Sequence, residues 1–129
     1  MIKEIIAVFV GGGIGSLLRY LINKIQWLSS YDYHLSTLIS NTLGCFILGL
    51  VLGYFLKNNN PNSITFIFLT VGFCGGFTTF SAFSMENLIF IQNGEFFKFF
   101  SYLFISLLLG VLSVYIGLTL YKSLLIKFL

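Results

Sequence analysis

Four long apolar stretches follow one another along the chain, separated by short polar segments. The stretches cover roughly residues 5–25, 37–56, 64–91 and 99–121, and the segments between them are WLSSYDYHL, KNNNPNS and QNGEFFK. A helix of about 20 apolar residues crosses the hydrocarbon layer of a bilayer. The pattern therefore predicts an all-α membrane protein with four transmembrane helices in a single domain, residues 1–129. Because the connections are short, consecutive helices are expected to be antiparallel neighbours.

The third stretch contains the sequence LTVGFCGGFTTFSAFSMEN, residues 69–87, inside a run without charge between Lys57 and Glu86. Glycine weakens a helix, and Gly72, Gly75 and Gly76 are followed at once by hydroxyl side chains that can satisfy freed backbone groups. Irregular backbone within a bilayer is tolerated only where it is buried in protein or lines a wet cavity. We therefore expect a broken third helix, near residues 72–79, as a candidate site. The alternative is a kinked packing helix, since small residues are common at helix contacts.

The composition excludes several classes of protein. Hydrophobic residues make up 57% of the chain and charged residues 9%, which excludes a soluble globule and a disordered chain. The net charge of +3 comes from scattered residues, so no basic cluster points to nucleic acid. Cys45 and Cys74 read as small packing residues, and His34, the only histidine, is expected in a loop. Without a nucleophile–base pair, metal cluster or phosphate loop, an enzyme is not predicted.

Positive charge is distributed almost evenly between the two predicted sides of the membrane. One side holds Lys3, Lys57, Lys122 and Lys127, and the other holds Lys24 and Lys98, with Arg19 if it reaches that interface. Lys and Arg loop bias sets membrane orientation, so this small difference allows insertion both ways round. A single four-helix chain cannot readily enclose a polar path around a broken helix, and a second copy would supply the missing walls. We therefore predict a homodimer.

Two polar side chains stand out on the first two helices. Arg19 lies one turn beyond Gly15, which with Gly11 forms a small face for close helix contact. Arg19 either anchors the helix at the interface or attracts anions to a vestibule. Asn41 is a primary amide in a hydrocarbon environment, and its two N–H donors suit an anion or a carbonyl. A helix–helix hydrogen bond is the alternative for Asn41.

The third and fourth helices add aromatic and polar candidates. Phe80 and Phe83 share a face beyond the break, and the positive edges of two rings favour an anion, although packing is the ordinary role in a chain with 16 Phe. Glu86 is a carboxylate within an apolar run, either a partner for a cation or hydroxyl or a group near a water-filled entrance. Ser106 and Ser113 share a face and could form a polar track; hydrogen bonding to the backbone is the alternative.

Three motifs occur in order on the first three helices: GGGIGSLLRY, TLISNTLGCFILG and GFCGGFTTFSAFS. In a four-span chain they resemble the Fluc/CrcB family of fluoride channels. The resemblance implies an antiparallel, dual-topology homodimer in the cell membrane, the inner membrane of a bacterium, with two fluoride pores along its interface. It also implies passive export of cytoplasmic fluoride that enters as HF. The second copy of the chain, fluoride and the lipid bilayer are then the expected partners.

The resemblance further implies roles for individual residues. The expected pore residues are Asn41, Phe80 and Phe83 with the hydroxyls of Thr79, Ser81 and Ser84. Ser106 and Ser113 are added only because they share one face of the fourth helix. The expected vestibule residues are Arg19 and Glu86. A structural sodium ion at the dimer centre is expected on the main-chain carbonyls of Gly75 and Thr78 from both subunits. The polar groups fit fluoride, because a pore for a strongly hydrated ion must replace water with several weak sites.

Two other functions compete with a fluoride channel. A small proton-coupled multidrug transporter also has four helices and dual topology, but it needs an intramembrane carboxylate, usually on its first helix. Glu4 lies too close to the terminus for this, which leaves Glu86. A non-conducting membrane assembly subunit would explain the glycine faces but not the polar groups concentrated around the break.

Overall fold

The computed structural model describes residues 1–25, 33–57 and 63–127, and all regular secondary structure in this part of the chain is helical. In chain order the elements are α1 (Ile2–Asn23), α2 (Tyr33–Lys57), α3 (Ile64–Ile67), a π-helical segment (Phe68–Cys74), α4 (Gly75–Phe77), α5 (Phe80–Gln92) and α6 (Phe96–Lys127). The elements from α3 to α5 form one bent span, Ile64–Gln92, referred to below as the third span. Four helices in the described ranges are long and apolar enough to cross a membrane. The all-α, four-helix prediction is confirmed.

The helices extend beyond the apolar stretches that predicted them. α2 begins at Tyr33 instead of residue 37, and α6 covers Phe96–Lys127 instead of 99–121. His34 therefore lies in the first turn of α2, where its ring centroid is 5.0 Å from that of Phe90 and 5.4 Å from that of Tyr102. The loop prediction for His34 was wrong, because hydropathy locates the part of a helix that crosses hydrocarbon and not its ends.

The third span breaks at Thr78 and Thr79, whose backbones are extended (φ −86°, ψ 156° and φ −147°, ψ 114°). Thr79 caps the helix that follows, since its Oγ1 accepts a hydrogen bond from the N–H of Ala82 at 3.2 Å. The break lies within the predicted region but just after its glycines. Those glycines remain helical: Gly72 lies in the π-helical segment, a rare form that is frequent at functional sites, and Gly75 and Gly76 follow it in α4.

The glycines bring α1 and the third span into backbone contact. A Cβ atom built on Gly11 would lie 2.6 Å from the carbonyl oxygen of Phe68 and 2.9 Å from the nitrogen of Phe73. A Cβ on Gly76 would lie 2.9 Å from the Cα of Gly12. No side chain fits at these distances, so the two helices pack through their main chains.

A second pair of glycines brings α2 and α6 together in the same way. A Cβ on Gly49 would lie 3.0 Å from the nitrogen of Leu118, and one on Gly117 would lie 2.9 Å from the nitrogen of Leu50. The most extensive contacts thus join alternate spans, first with third and second with fourth. This differs from the expected pairing of consecutive helices, because close backbone approach at glycine outweighs the shortness of the loops.

Candidate functional site

A groove of about 360 Å³, open at the surface of the chain, lies beside the helix break. Its walls come from α2, the third span and α6, and none of the described residues that line it carries a formal charge. The groove brings together seven of the predicted site residues: Asn41, Gly75, Thr78, Thr79, Phe80, Phe83 and Ser106. The remaining five lie elsewhere: Arg19, Ser81, Ser84, Glu86 and Ser113. The structure therefore collects the amide, the aromatic pair and the broken backbone in one place.

The side chain of Asn41 holds the main chain at the break. Its Oδ1 accepts a hydrogen bond from the N–H of Thr79 at 2.7 Å, and its Nδ2 donates to the carbonyl oxygen of Thr79 at 3.3 Å. An amide pairs in this way with both polar groups of one extended residue, as a neighbouring strand would. The hydrogen bond to another helical span, which was the alternative weighed for Asn41, is thus present, and it joins α2 to the main chain of the third span.

This arrangement changes which carbonyl groups have donors. Thr79 is the fourth residue after Gly75, so in a continuous α-helix its N–H would bind the carbonyl of Gly75. Asn41 takes that N–H instead. The N–H and the hydroxyl of Thr78 both donate to the carbonyl of Cys74, each at 2.9 Å. The carbonyl end of a half-helix attracts a cation, and neutral oxygens suit a hard one. The residues present therefore fit a sodium ion at Gly75 and Thr78.

The two predicted pore phenylalanines differ sharply in exposure. Both line the groove from α5, and their ring centroids lie 5.8 Å apart. Phe83 is 9% exposed and packs on Tyr102, whereas Phe80 is 78% exposed. Phe83 is thus fixed by the core of the chain, and Phe80 presents its ring outward at the edge of the groove.

The predicted hydroxyl groups occupy different environments. Thr79 Oγ1 and Ser81 Oγ lie 3.1 Å apart at the start of α5, and Ser84 Oγ donates to the carbonyl of Phe80 at 2.9 Å. Ser106 Oγ is buried at the groove wall, on the same helix as Tyr102 and one turn from it. Ser113 is also buried, at 8% exposure, but lies further along α6. Of these hydroxyl residues, Thr79 and Ser106 line the groove.

Glu86 lies in a buried hydrogen-bond network between α2, α5 and α6. Its side chain is 4% exposed, Oε1 accepts from Thr37 Oγ1 at 2.7 Å, and Oε2 accepts from Tyr102 Oη at 2.7 Å. Of the two alternatives weighed for Glu86, the hydroxyl partner is the one that the structure contains. Sequence reasoning missed Tyr102, although a phenol within an apolar helix requires a hydrogen-bond partner.

Arg19 contacts the other side of the break. Its Nε donates to the carbonyl oxygen of Gly76 at 3.2 Å, and Ser16 Oγ donates to the same oxygen at 3.3 Å. The guanidinium group is partly buried and lies at the carbonyl end of α4, where a positive charge is favourable. A vestibule role for Arg19 stays a prediction.

Comparison with known proteins identifies the relatives of this chain. The family model described as CrcB-like protein, Camphor Resistance (CrcB), matches residues 6–118. A protein of Azobacteroides pseudotrichonymphae named fluoride-specific ion channel FluC is 41% identical over 118 residues, which cover 91% of this chain and 94% of the relative. A protein of the same name from Flavobacterium psychrophilum is 40% identical over 126 residues, 95% of this chain and 99% of the relative. The chain therefore belongs to the CrcB family.

Proposed function

We propose that this chain is a fluoride-selective channel that passively exports fluoride across the bacterial cell membrane. Its relatives carry the name fluoride-specific ion channel, and its four apolar helices make it a multi-pass membrane protein. The observation that carries the proposal is the groove at the helix break. It offers an amide, hydroxyls and phenyl rings to an anion, with no formal charge on the described residues that line it.

The groove chemistry suits a small, strongly hydrated anion. Asn41 Nδ2 has two N–H donors, of which one goes to Thr79, so the second remains for an ion. The hydroxyl residues Thr79 and Ser106 line the groove, and the edges of Phe80 and Phe83 carry partial positive charge. Several weak sites of this kind allow the ion to enter and also to leave, whereas a fixed Lys or Arg would hold it.

We infer that the working channel is an antiparallel homodimer with two pores. The groove of one chain is open, and Phe80 at its edge is 78% exposed. A second copy would close the groove and cover the broken backbone, which a lipid environment cannot satisfy. The balanced lysine distribution allows the two copies to insert in opposite orientations.

A structural sodium ion fits the centre of such a dimer. The carbonyls of Gly75 and Thr78 of each copy would hold it, and Asn41 supports this role by taking the N–H that would otherwise bind Gly75. A bound cation supplies positive charge that offsets repulsion between anions in neighbouring pores. Replacing sodium by a large organic cation should then destabilise the protein, whereas unchanged stability and flux would contradict this part of the proposal.

The environment of Glu86 favours a channel over a proton-coupled multidrug transporter. A transporter of that class needs a carboxylate that exchanges protons with an incoming substrate. Glu86 is 4% exposed, lies outside the groove and has both oxygens occupied by hydroxyl donors. On the described part of the first three spans, the other carboxylate is that of Glu4, which lies in the first turn of α1 and so near the helix end. The proposed activity is transport of an ion and involves no enzymatic step.

Ion efflux from liposomes that contain the purified protein tests the function. We expect rapid loss of fluoride at a fluoride electrode and no loss of chloride at a second electrode. Phe80→Ile removes an aromatic edge from the groove and should slow fluoride efflux about tenfold. Phe97→Ile is the matched control, because Phe97 is 86% exposed and lies outside the groove. Equal chloride and fluoride efflux, or equal effects of the two substitutions, would contradict the proposal.

The assembly is tested separately. Light scattering in mild detergent should give the mass of two chains. A cysteine introduced at the N-terminus should be accessible to a labelling reagent from both sides of the membrane. A particle of one chain would exclude the homodimer, and labelling from one side alone would exclude dual topology.

A further inference from the structure

The carbonyl oxygen of Gly76 receives two side-chain donors from α1. Arg19 Nε lies 3.2 Å from it and Ser16 Oγ 3.3 Å. Gly76 belongs to the last turn of α4, and the final carbonyls of a helix have no intrahelical donor. An unpaired carbonyl within a membrane costs free energy, so these two contacts stabilise the break from the side of α1.

The two donors come from a rigid position. α1 is held against α4 by main-chain contact: a Cβ on Gly15 would lie 2.7 Å from the nitrogen of Phe77, and one on Gly76 would lie 2.9 Å from the Cα of Gly12. The Cα atoms of Ser16 and Arg19 therefore have a fixed relation to Gly76. A donor on such an element orients a carbonyl more strictly than one on a mobile loop.

We propose that Arg19, assisted by Ser16, is a positioning residue for the cation site, an inference that rests on the sodium ion in the proposed function. Side-chain hydrogen bonds from two helices, α1 and α2, hold the main chain at the break. Arg19 and Ser16 fix Gly76, the residue after the expected ligand Gly75, and Asn41 fixes Thr79, the residue after the expected ligand Thr78. Each expected ligand carbonyl is thus next to a peptide group whose place is set by another helix.

This role differs in its requirements from attraction of anions to a vestibule. Attraction requires only the positive charge of Arg19, whereas positioning requires a hydrogen-bond donor at the Gly76 carbonyl. The charge also acts on sodium in the opposite direction. A positive group near the site repels the cation, so loss of charge alone would strengthen sodium binding. Weaker sodium binding after loss of the donor would therefore identify positioning.

The experiment uses sodium-dependent thermal stability of the purified full-length protein in detergent. The unfolding midpoint is measured while sodium chloride replaces N-methylglucamine chloride at constant ionic strength, which gives the half-saturating sodium concentration. Arg19→Met removes the donor and the charge, and Arg19→Gln removes the charge but keeps an amide donor. Lys24→Gln is the charge control. It removes a positive charge at the C-terminal end of α1, where Lys24 Nζ lies 5.3 Å from the ring centroid of Tyr20.

We expect Arg19→Met to raise the half-saturating sodium concentration about tenfold and Arg19→Gln to raise it less than about threefold. Lys24→Gln should leave it unchanged. Ser16→Ala removes the longer of the two hydrogen bonds to the Gly76 carbonyl with little disturbance of packing, so it should raise the half-saturating sodium concentration about threefold. This variant provides the test if Arg19→Met does not fold.

Several results would overturn the inference. An equal increase of the half-saturating sodium concentration for Arg19→Met and Arg19→Gln would exclude the hydrogen-bond donor as the cause, and a decrease for both would assign the effect to charge. No shift for either arginine variant or for Ser16→Ala would exclude positioning. Absence of sodium stabilisation in the unmutated protein would exclude the inference together with the sodium site. Fluoride efflux from liposomes, measured on the same preparations, decides the channel function independently of these outcomes.

Discussion

Removing the hydroxyl of Tyr102 should destabilise the protein through Glu86. Tyr102 is 6% exposed and Glu86 is 4% exposed. The Tyr102 hydroxyl donates a hydrogen bond to Glu86 Oε2 at 2.7 Å. Tyr102→Phe deletes one oxygen atom and keeps the ring, which packs against Phe83 and Phe90. The packing is therefore preserved while one carboxylate oxygen loses its donor.

The expected cost follows from the type of bond. A hydrogen bond to a charged group contributes about 1.5–3 kcal/mol, and a buried acceptor left without a donor loses that amount. We expect the free energy of unfolding, measured by titration with SDS in mixed micelles, to fall by about 1.5–3 kcal/mol for Tyr102→Phe. Tyr115→Phe on the same helix is the control, since Tyr115 is 63% exposed, and should change stability by less than about 0.5 kcal/mol.

A double-mutant cycle isolates the pair. In a Glu86→Leu background no carboxylate remains to be left unpaired, so Tyr102→Phe should cost far less than in the unmutated protein. The reasoning is refuted if Tyr102→Phe costs no more than Tyr115→Phe, or if its cost is the same with and without Glu86.

Two further substitutions test the packing and the break. Gly11→Ala places a Cβ 2.6 Å from the Phe68 carbonyl oxygen and should lower the free energy of unfolding by about 1–3 kcal/mol in the same titration. Gly13→Ala is the control, because its Cβ meets no atom within 4 Å, and it should be neutral or slightly stabilising. Equal effects of the two substitutions would contradict the glycine contact. Asn41→Leu leaves both main-chain groups of Thr79 unpaired and should lower the thermal midpoint more than Asn41→Asp, which keeps the acceptor for the Thr79 N–H. The reverse order would exclude the proposed contact of Asn41.

Local patterns in the sequence were sufficient to predict the spans and the break. Apolar length marks a membrane helix wherever it occurs, and clustered glycines followed by hydroxyls mark a region where a helix can be interrupted. The motif resemblance then directed attention to Asn41, Phe80 and Phe83, which the structure brings to one groove. These features depend on neighbours in the sequence and on residue chemistry.

Contacts between distant segments could not be predicted in the same way. The partner of Glu86 Oε2 is a phenol sixteen residues later, and that pairing depends on how α5 packs against α6. The target of Asn41 is the main chain of Thr79, which carries no side-chain signal. The pairing of alternate helices decides both contacts, and short loops had suggested a different pairing.

The π-helical segment Phe68–Cys74 has a consequence for the register of the third span. A π-helix closes each hydrogen-bonded turn with one more residue than an α-helix does. If the same seven residues formed an ordinary α-helix, everything after them would rotate by about 100° and move by about 1.5 Å along the helix axis. Such a rotation would turn Gly76 away from α1 and the two phenylalanines away from the groove. The π-helical winding of this segment therefore sets the alignment of the two halves of the site.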